Sequence, residues 1–339
     1  MKAIGVIQAR PTDDPECFVA FETPTPSPGP RDLLVRIDAL SVNPVDYKVR
    51  RGVTEPLAEP KIIGWDACGV VEAVGEDVRH YRPGDQVMYA GAINRPGSYA
   101  EYQLVDERIV GRKPLNLDVT QSAALPLTSL TAWESLFTRL NVDRSAGREG
   151  KLLIIGGAGG VGSMAIQLAR ALTDLEIVAT ASRKETESWC KELGAHHVVD
   201  HSGDLVETVR QAGLGPFSYI LNCNNNLPYW NAMAELIAPQ GRVCLLSSTG
   251  ELVNLDIFME KSVAVCWELM YTRSLFGTYD LSHQREILNG IADMAEEGRI
   301  RTTFQRCLGP LSASNAAKAH QVLESRNMIG KLTMSALGS

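Results

Sequence analysis

Up to about residue 120, short stretches alternate apolar and polar positions: Leu33 to Ala39, Ala67 to Val74, Gln86 to Tyr89 and Tyr99 to Leu104. Proline and glycine clusters separate them, as expected of strands that bury one face and join through turns. Met1 to Val6 alternates in the same way, and Pro24 to Pro30 reads as an extended surface connection. From Leu152 the pattern changes. Strand-like apolar runs fall at Leu152 to Ile155, Glu176 to Ala181, His197 to Val199, Tyr219 to Asn222, Arg242 to Ser247 and Val263 to Leu269. Helix-period stretches lie between them at Val161 to Leu172, Glu185 to Leu193, Asp204 to Ala212 and Tyr229 to Ile237. That alternation predicts an α/β fold with a doubly wound parallel sheet. A longer helix, His283 to Glu297, then leads to a strand-like end, Gly330 to Met334.

The first strand–helix junction carries the most chemistry. Gly156-Gly157-Ala158-Gly159-Gly160-Val161-Gly162 follows the run Lys151 to Ile155, and Gly157, Gly159 and Gly162 fit G-x-G-x-x-G. The first glycine permits a tight turn, the second lets backbone approach a pyrophosphate, and the third lets helix pack on strand. The pyrophosphate then meets free N–H groups and the positive end of the helix dipole.

In NAD sites an acidic side chain about 20 residues beyond the glycines holds the adenosine ribose. Here the second strand ends Ala181-Ser182-Arg183-Lys184, with no acid at its tip. A hydroxyl and two cations suit a 2′-phosphate, which favours NADP(H). Ser182 and Glu185 also have the spacing of a capping box, so Ser182 is a candidate helix start as well.

Bulk properties change little. A chain of 339 residues suits two domains, and a net charge of −7 gives no reason to expect nucleic acid or an anionic membrane as partner. No apolar stretch approaches a membrane span, and the start lacks the apolar core of a signal peptide. Seven scattered cysteines without a C-x-x-C pair suggest reduced thiols and a cytoplasmic setting.

With a β-rich start, a central dinucleotide fold and a C-terminal return assembled, the chain resembles the medium-chain dehydrogenase/reductases over its whole length. The markers are Ala39 to Asp46, Gly64 to Val71, Gly84 to Val87, Gly97 to Tyr102 and Ala158 to Gly162. It is most similar to the quinone oxidoreductases, the zeta-crystallin-like branch, and to their bacterial relatives labelled zinc-type alcohol dehydrogenase-like. Asn43 to Lys48 and Cys266 to Ser274 match that branch best. The resemblance implies a GroES-like catalytic domain over 1–122, a Rossmann domain over 123–273, and a return over 274–339 that completes the catalytic domain.

Zinc-bearing members of the superfamily carry a ligating cysteine where this chain has Asn43, and Gly-His-Glu where it has Gly64-Trp65-Asp66. A catalytic zinc needs three ligands of cysteine, histidine or carboxylate type. The four-cysteine structural zinc lobe is missing too, since no cysteine lies between Cys68 and Cys190. No metal site is therefore expected. Without a Lewis acid, hydride transfer from NADPH to a quinone or an α,β-unsaturated carbonyl is the favoured chemistry, because the charge delocalises onto an oxygen that donors can meet. A zinc-type alcohol dehydrogenase and an NADPH-binding protein with little turnover stay open as alternatives.

The resemblance also assigns residues. Asn43 is placed near the nicotinamide ribose and the substrate oxygen, against the plainer reading of an asparagine in a turn. Lys48 stands as donor to a developing enolate or hydroquinone oxygen, or to ribose hydroxyls, and a surface lysine is the alternative. Asp46 orients Lys48 or caps a helix. Thr131 is implied at the nicotinamide or phosphate, with a threonine bonding back to its own helix as the alternative, and His201 beside the adenosine phosphate, with an exposed loop histidine as the alternative. Lys331 is implied as a C-terminal base reaching the cofactor, and Ser247, ending the fifth strand, lies at the carboxyl edge where such sheets bind ligand. Quinone reductases of this type pair through the sixth strand of the dinucleotide domain, which implies a homodimer here.

Overall fold

The computed structural model describes residues 1–143 and 150–338. The chain divides into two compact units, 1–127 with 271–339, and 128–270.

The first unit is β-rich. Its strands are β1 (Lys2–Val6), β2 (Val19–Glu22), β3 (Asp32–Ser41), β4 (Lys61–Ile62), β5 (Asp66–Val74), β6 (Gln86–Tyr89), β7 (Tyr102–Asp106) and β8 (Val110–Arg112). β3 pairs antiparallel with β5, and their register sets Ser41 opposite Asp66. The strand expected at Tyr99 begins three residues later as β7. The reason is a separate pairing: Tyr99 C=O accepts from Ile4 N–H at 2.8 Å, and Glu101 N–H donates to Lys2 C=O at 3.1 Å.

The second unit holds β9 (Lys151–Ile155), β10 (Glu176–Thr180), β11 (His197–Val199), β12 (Phe217–Asn222), β13 (Ile237–Leu245) and β14 (Ala264–Trp267). They form one parallel sheet in the order β11-β10-β9-β12-β13-β14, the doubly wound topology that the sequence predicts. Its central strands are apolar without alternation because both faces are covered. Leu153, Ile155, Phe217, Ile220, Val243 and Leu245 share one core cluster. β13 starts five residues before the expected Arg242, and its register with β12 shifts between Phe217 and Tyr219.

The chain then returns to the first unit through β15 (Phe304–Leu311) and β16 (Lys331–Leu337). β16 pairs antiparallel with β3, setting Thr333 opposite Ser41. The helix His283–Glu296 matches its expected span, whereas β15 and the helix Ala313–Glu324 carry no clear sequence signal. No helix among the described residues is long and apolar enough to cross a membrane.

Candidate functional site

In the first unit, β3 leads through Val42 and Asn43 into the helix Pro44–Arg51, with proline in its first turn. Asp46 Oδ2 accepts from the Asn43 backbone N–H at 2.8 Å, so Asp46 caps the helix and does not orient Lys48. The Asn43 side chain is used elsewhere. Its Nδ2 donates to Asp66 Oδ2 at 2.8 Å, and its Oδ1 accepts from Lys331 Nζ at 2.5 Å. Lys331 also donates to Val42 C=O at 2.9 Å and to Asp66 Oδ2 at 3.2 Å. Asp66 Oδ1 accepts from Leu127 N–H at 2.8 Å. Asn43, Asp46, Asp66 and Lys331 are all buried.

Burial pushes Asp66 up and Lys331 down, and each is drawn back by the other's charge. The geometry fits the ion pair, because only an ammonium satisfies three acceptors around Nζ while Asp66 takes two further N–H donors. Lys331, expected at the cofactor, thus has all three protons committed inside the first unit. Burial raises the Asp46 carboxyl to about 8, against the Asn43 hydrogen bond and the Lys331 charge and with help from Asp66. Lys48 is exposed on the same helix, and partial loss of water and nearby Arg326 hold its ammonium below the usual lysine range.

These positions do not fit a zinc ion. Trp65 is fully buried, donates from Nε1 to Arg95 C=O at 3.3 Å, and packs edge-on to Tyr271 at 6.1 Å. The carboxylate beside it is tied to a lysine. Among the described residues no group of three histidine, cysteine, aspartate or glutamate side chains could hold a metal ion.

In the second unit, the glycine loop joins β9 to the helix Gly160–Leu172, and the N-cap, Gly159, has no side chain with which to cap the first N–H groups. A Cβ on Gly162 would lie 2.3 Å from Gly156 C=O, so that glycine serves the packing of helix on strand. A Cβ on Gly159 would approach nothing closer than 3.6 Å. The fold itself leaves that space, which fits close approach of a ligand phosphate. Gly157 packs against Ala179 and Cys190, Ala158 lies in the turn, and Gly160 and Val161 open the helix.

Gly156 N–H donates to Thr180 Oγ1 at 3.0 Å, and the same oxygen lies 2.6 Å from His201 Nδ1. With Gly156 donating, the Thr180 proton is assigned to Nδ1, leaving the His201 proton on Nε2. Burial lowers His201, which agrees with a neutral ring. The resemblance names His201 but not its partner Thr180, whose signal is only its place at the tip of β10.

Ser182, Arg183 and Lys184 are exposed just beyond that tip. Arg183, not Ser182, is the N-cap of the next helix, Lys184–Glu192. Thr186 decides this, because its hydroxyl accepts Arg183 N–H at 3.1 Å and donates to Arg183 C=O at 2.7 Å. Ser247 lies two residues past β13; its C=O accepts from Asn226 Nδ2 at 2.5 Å, and its buried hydroxyl has no partner among the described residues. Thr131 is buried on the helix Pro126–Trp133.

Comparison with known proteins agrees with both architectures. Residues 29–115 match the alcohol dehydrogenase GroES-like domain and residues 160–287 the zinc-binding dehydrogenase domain. A zinc-type alcohol dehydrogenase-like protein of Staphylococcus aureus strain MSSA476 is 40% identical over 99% of this chain and 100% of its own length. The chloroplastic quinone oxidoreductase of Triphysaria versicolor is 28% identical over 84% of each chain. A Rhizobium etli CFN 42 protein assigned as a zinc-dependent alcohol dehydrogenase superposes with a TM-score of 0.95 at 48% identity, covering 100% of this chain and 99% of its own. The GroES-like strands, the doubly wound sheet and these relatives make the chain a member of the medium-chain dehydrogenase/reductase superfamily of oxidoreductases.

Proposed function

We propose that the protein is a zinc-independent, NADPH-dependent reductase of quinones or α,β-unsaturated carbonyls. The observation that carries this reading is the Lys331 ammonium held by Asn43, Asp66 and Val42 beside buried Trp65. Where zinc-bearing relatives would need ligands, this chain has an amide, an indole and a carboxylate already neutralised by an internal cation. The names of its zinc-type relatives speak for an alcohol dehydrogenase, but the side chains do not supply a Lewis acid.

The glycine loop and the uncapped helix start would hold the pyrophosphate. Ser182, Arg183 and Lys184 would hold the 2′-phosphate, and His201 the adenosine side. Thr131 and the unpartnered hydroxyl of Ser247 would contact the nicotinamide half. When bound, the dinucleotide supplies a hydride. Asn43 Nδ2 has a second proton beyond the one given to Asp66, and it would meet the charge developing on the substrate oxygen. Lys331 and Asp66 fix that amide from either side, which makes Lys331 a positioning residue. Lys48 is the second donor on the same helix. Homodimerisation through β14 completes the reading.

NADPH oxidation by the purified, EDTA-treated protein, measured across a panel of quinones and enones, tests the proposal. Turnover that persists without metal supports it. One zinc per chain, alcohol oxidation and loss of activity on chelation would overturn it, and tight NADPH binding without turnover would point to a binding protein.

A further inference from the structure

Two thiols meet at the open edge of the parallel sheet. Cys244 on β13 stands directly opposite Cys266 on β14, so both side chains lie on the same face. Neighbouring strands run about 4.8 Å apart, inside the Cα separation of roughly 4.4–6.8 Å that a disulfide spans. Cys266 is half-buried while Cys244 is fully buried, and both side chains stand on a face of the sheet, whereas pairing along the β14 edge engages backbone groups. Cys266 Sγ lies 3.3 Å from Val243 C=O. The surroundings are charged. Arg139, in the π-helical turn Glu134–Arg139, pairs with buried Glu268 at 2.7 Å, and Arg242 Nη1 reaches Arg139 C=O at 3.5 Å. Neither the glycine loop nor the Asn43 cluster uses these thiols.

We propose that Cys266 and Cys244 form a reversible oxidation site, with Cys266 attacking a hydroperoxide and Cys244 resolving the product into a disulfide between β14 and β13. The Cys266 sulfur attacks one peroxide oxygen and the O–O bond breaks. The departing oxygen leaves as water or alcohol, and Cys266 becomes a sulfenic acid, oxidised by two electrons. Cys244 sulfur then attacks Cys266 sulfur, and hydroxide leaves with the Cys244 proton as water. Two thiols and one hydroperoxide give one disulfide, one molecule of water and one of the corresponding alcohol, which is a second water when the oxidant is hydrogen peroxide.

The division of labour follows from the setting. The neighbouring Cys244 thiol, with Arg139 and Arg242 adding positive potential, holds Cys266 below the ordinary thiol range. The same contact and burial push Cys244 well above it. Cys68, Cys190 and Cys223 are pushed up to about 12 by burial alone or nearly so. Cys307 is the exposed thiol, and no cysteine stands opposite it in the strand register. If exposure alone decided, Cys307 would oxidise first.

The test treats the full-length protein with stoichiometric hydrogen peroxide, alkylates the remaining thiols and maps peptides by mass. Joined peptides containing Cys244 and Cys266, restored by dithiothreitol, are expected while Cys307 stays alkylated. In Cys244→Ser the reaction should stop at Cys266 as a dimedone-trapped sulfenic acid, forming at least about tenfold faster than any adduct at Cys307. Oxidation confined to Cys307, or sulfinic acid at Cys266 of the unmutated protein with no disulfide, overturns the assignment. Since no step depends on hydride transfer, the result stands apart from the substrate panel.

Discussion

Lys331 Nζ lies 3.2 Å from Asp66 Oδ2, with both side chains almost wholly out of water. Neither charge can be removed alone without cost. Lys331→Met leaves a buried carboxylate with no cation, and breaking such a pair costs about 3–5 kcal/mol. Asp66→Asn combined with Lys331→Met should recover much of that loss, because no uncompensated charge remains. Denaturant unfolding of the two single variants and the double variant measures the coupling. Additive losses would show that the pair contributes nothing as a pair.

Asp46 gives stability a pH dependence of known sign. Its folded carboxyl titrates at about 8, above the unfolded value near 3.9. The folded state therefore binds the extra proton. The contribution is complete below about 4 and is lost as pH rises toward 8. Lys331, Asp66, Tyr99 and Tyr271 are the titratable groups facing it. Asp46→Asn keeps an acceptor for the Asn43 N–H and removes the titration, so thermal unfolding should vary less between pH 5 and 8, as roughly bracketed by these two values. An unchanged profile would assign the dependence to another group.

What could be read from the sequence was local. The glycine loop, its strand and its helix are contiguous, so spacing alone placed Gly157, Gly159 and Gly162. His201 is named through the resemblance alone, and its contact with Thr180, 21 residues away, shows only in the fold. The Asn43 cluster was not legible as a cluster: Lys331 lies 288 residues from Asn43 and 265 from Asp66. Only the pairing of β3 with both β5 and β16 brings the three together. Ser182 is a candidate cap by sequence because two capping patterns overlap, Ser182 with Glu185 and Arg183 with Thr186. The hydroxyl that fits both Arg183 backbone groups won.

Arg183 should separate the two nicotinamide cofactors. A charge-assisted contact to a 2′-phosphate is worth about 1.5–3 kcal/mol, or roughly ten- to a hundred-fold in affinity. Arg183→Ala is expected to weaken NADPH by that factor and NADH hardly at all, read by fluorescence titration. Equal losses for both would reduce Arg183 to its role as a helix cap.

Among the described residues β14 ends the sheet with one side unpaired, yet it lacks the features that blunt an open edge. It contains no proline or lysine, and Trp267 and the adjoining Leu269 remain 52% and 48% exposed. A second copy related by a two-fold axis could pair with that edge, completing its ladder and covering both side chains together. The expected species is a homodimer, twice the 36.9 kDa chain mass by light scattering. Trp267→Lys places a charge at the proposed seam, where the free chain is already open to water. It should therefore shift the protein toward monomer while leaving its melting temperature as monomer nearly unchanged. A dimer that persists in Trp267→Lys at micromolar concentration would move the interface elsewhere, and a monomer in the unmutated protein would remove it.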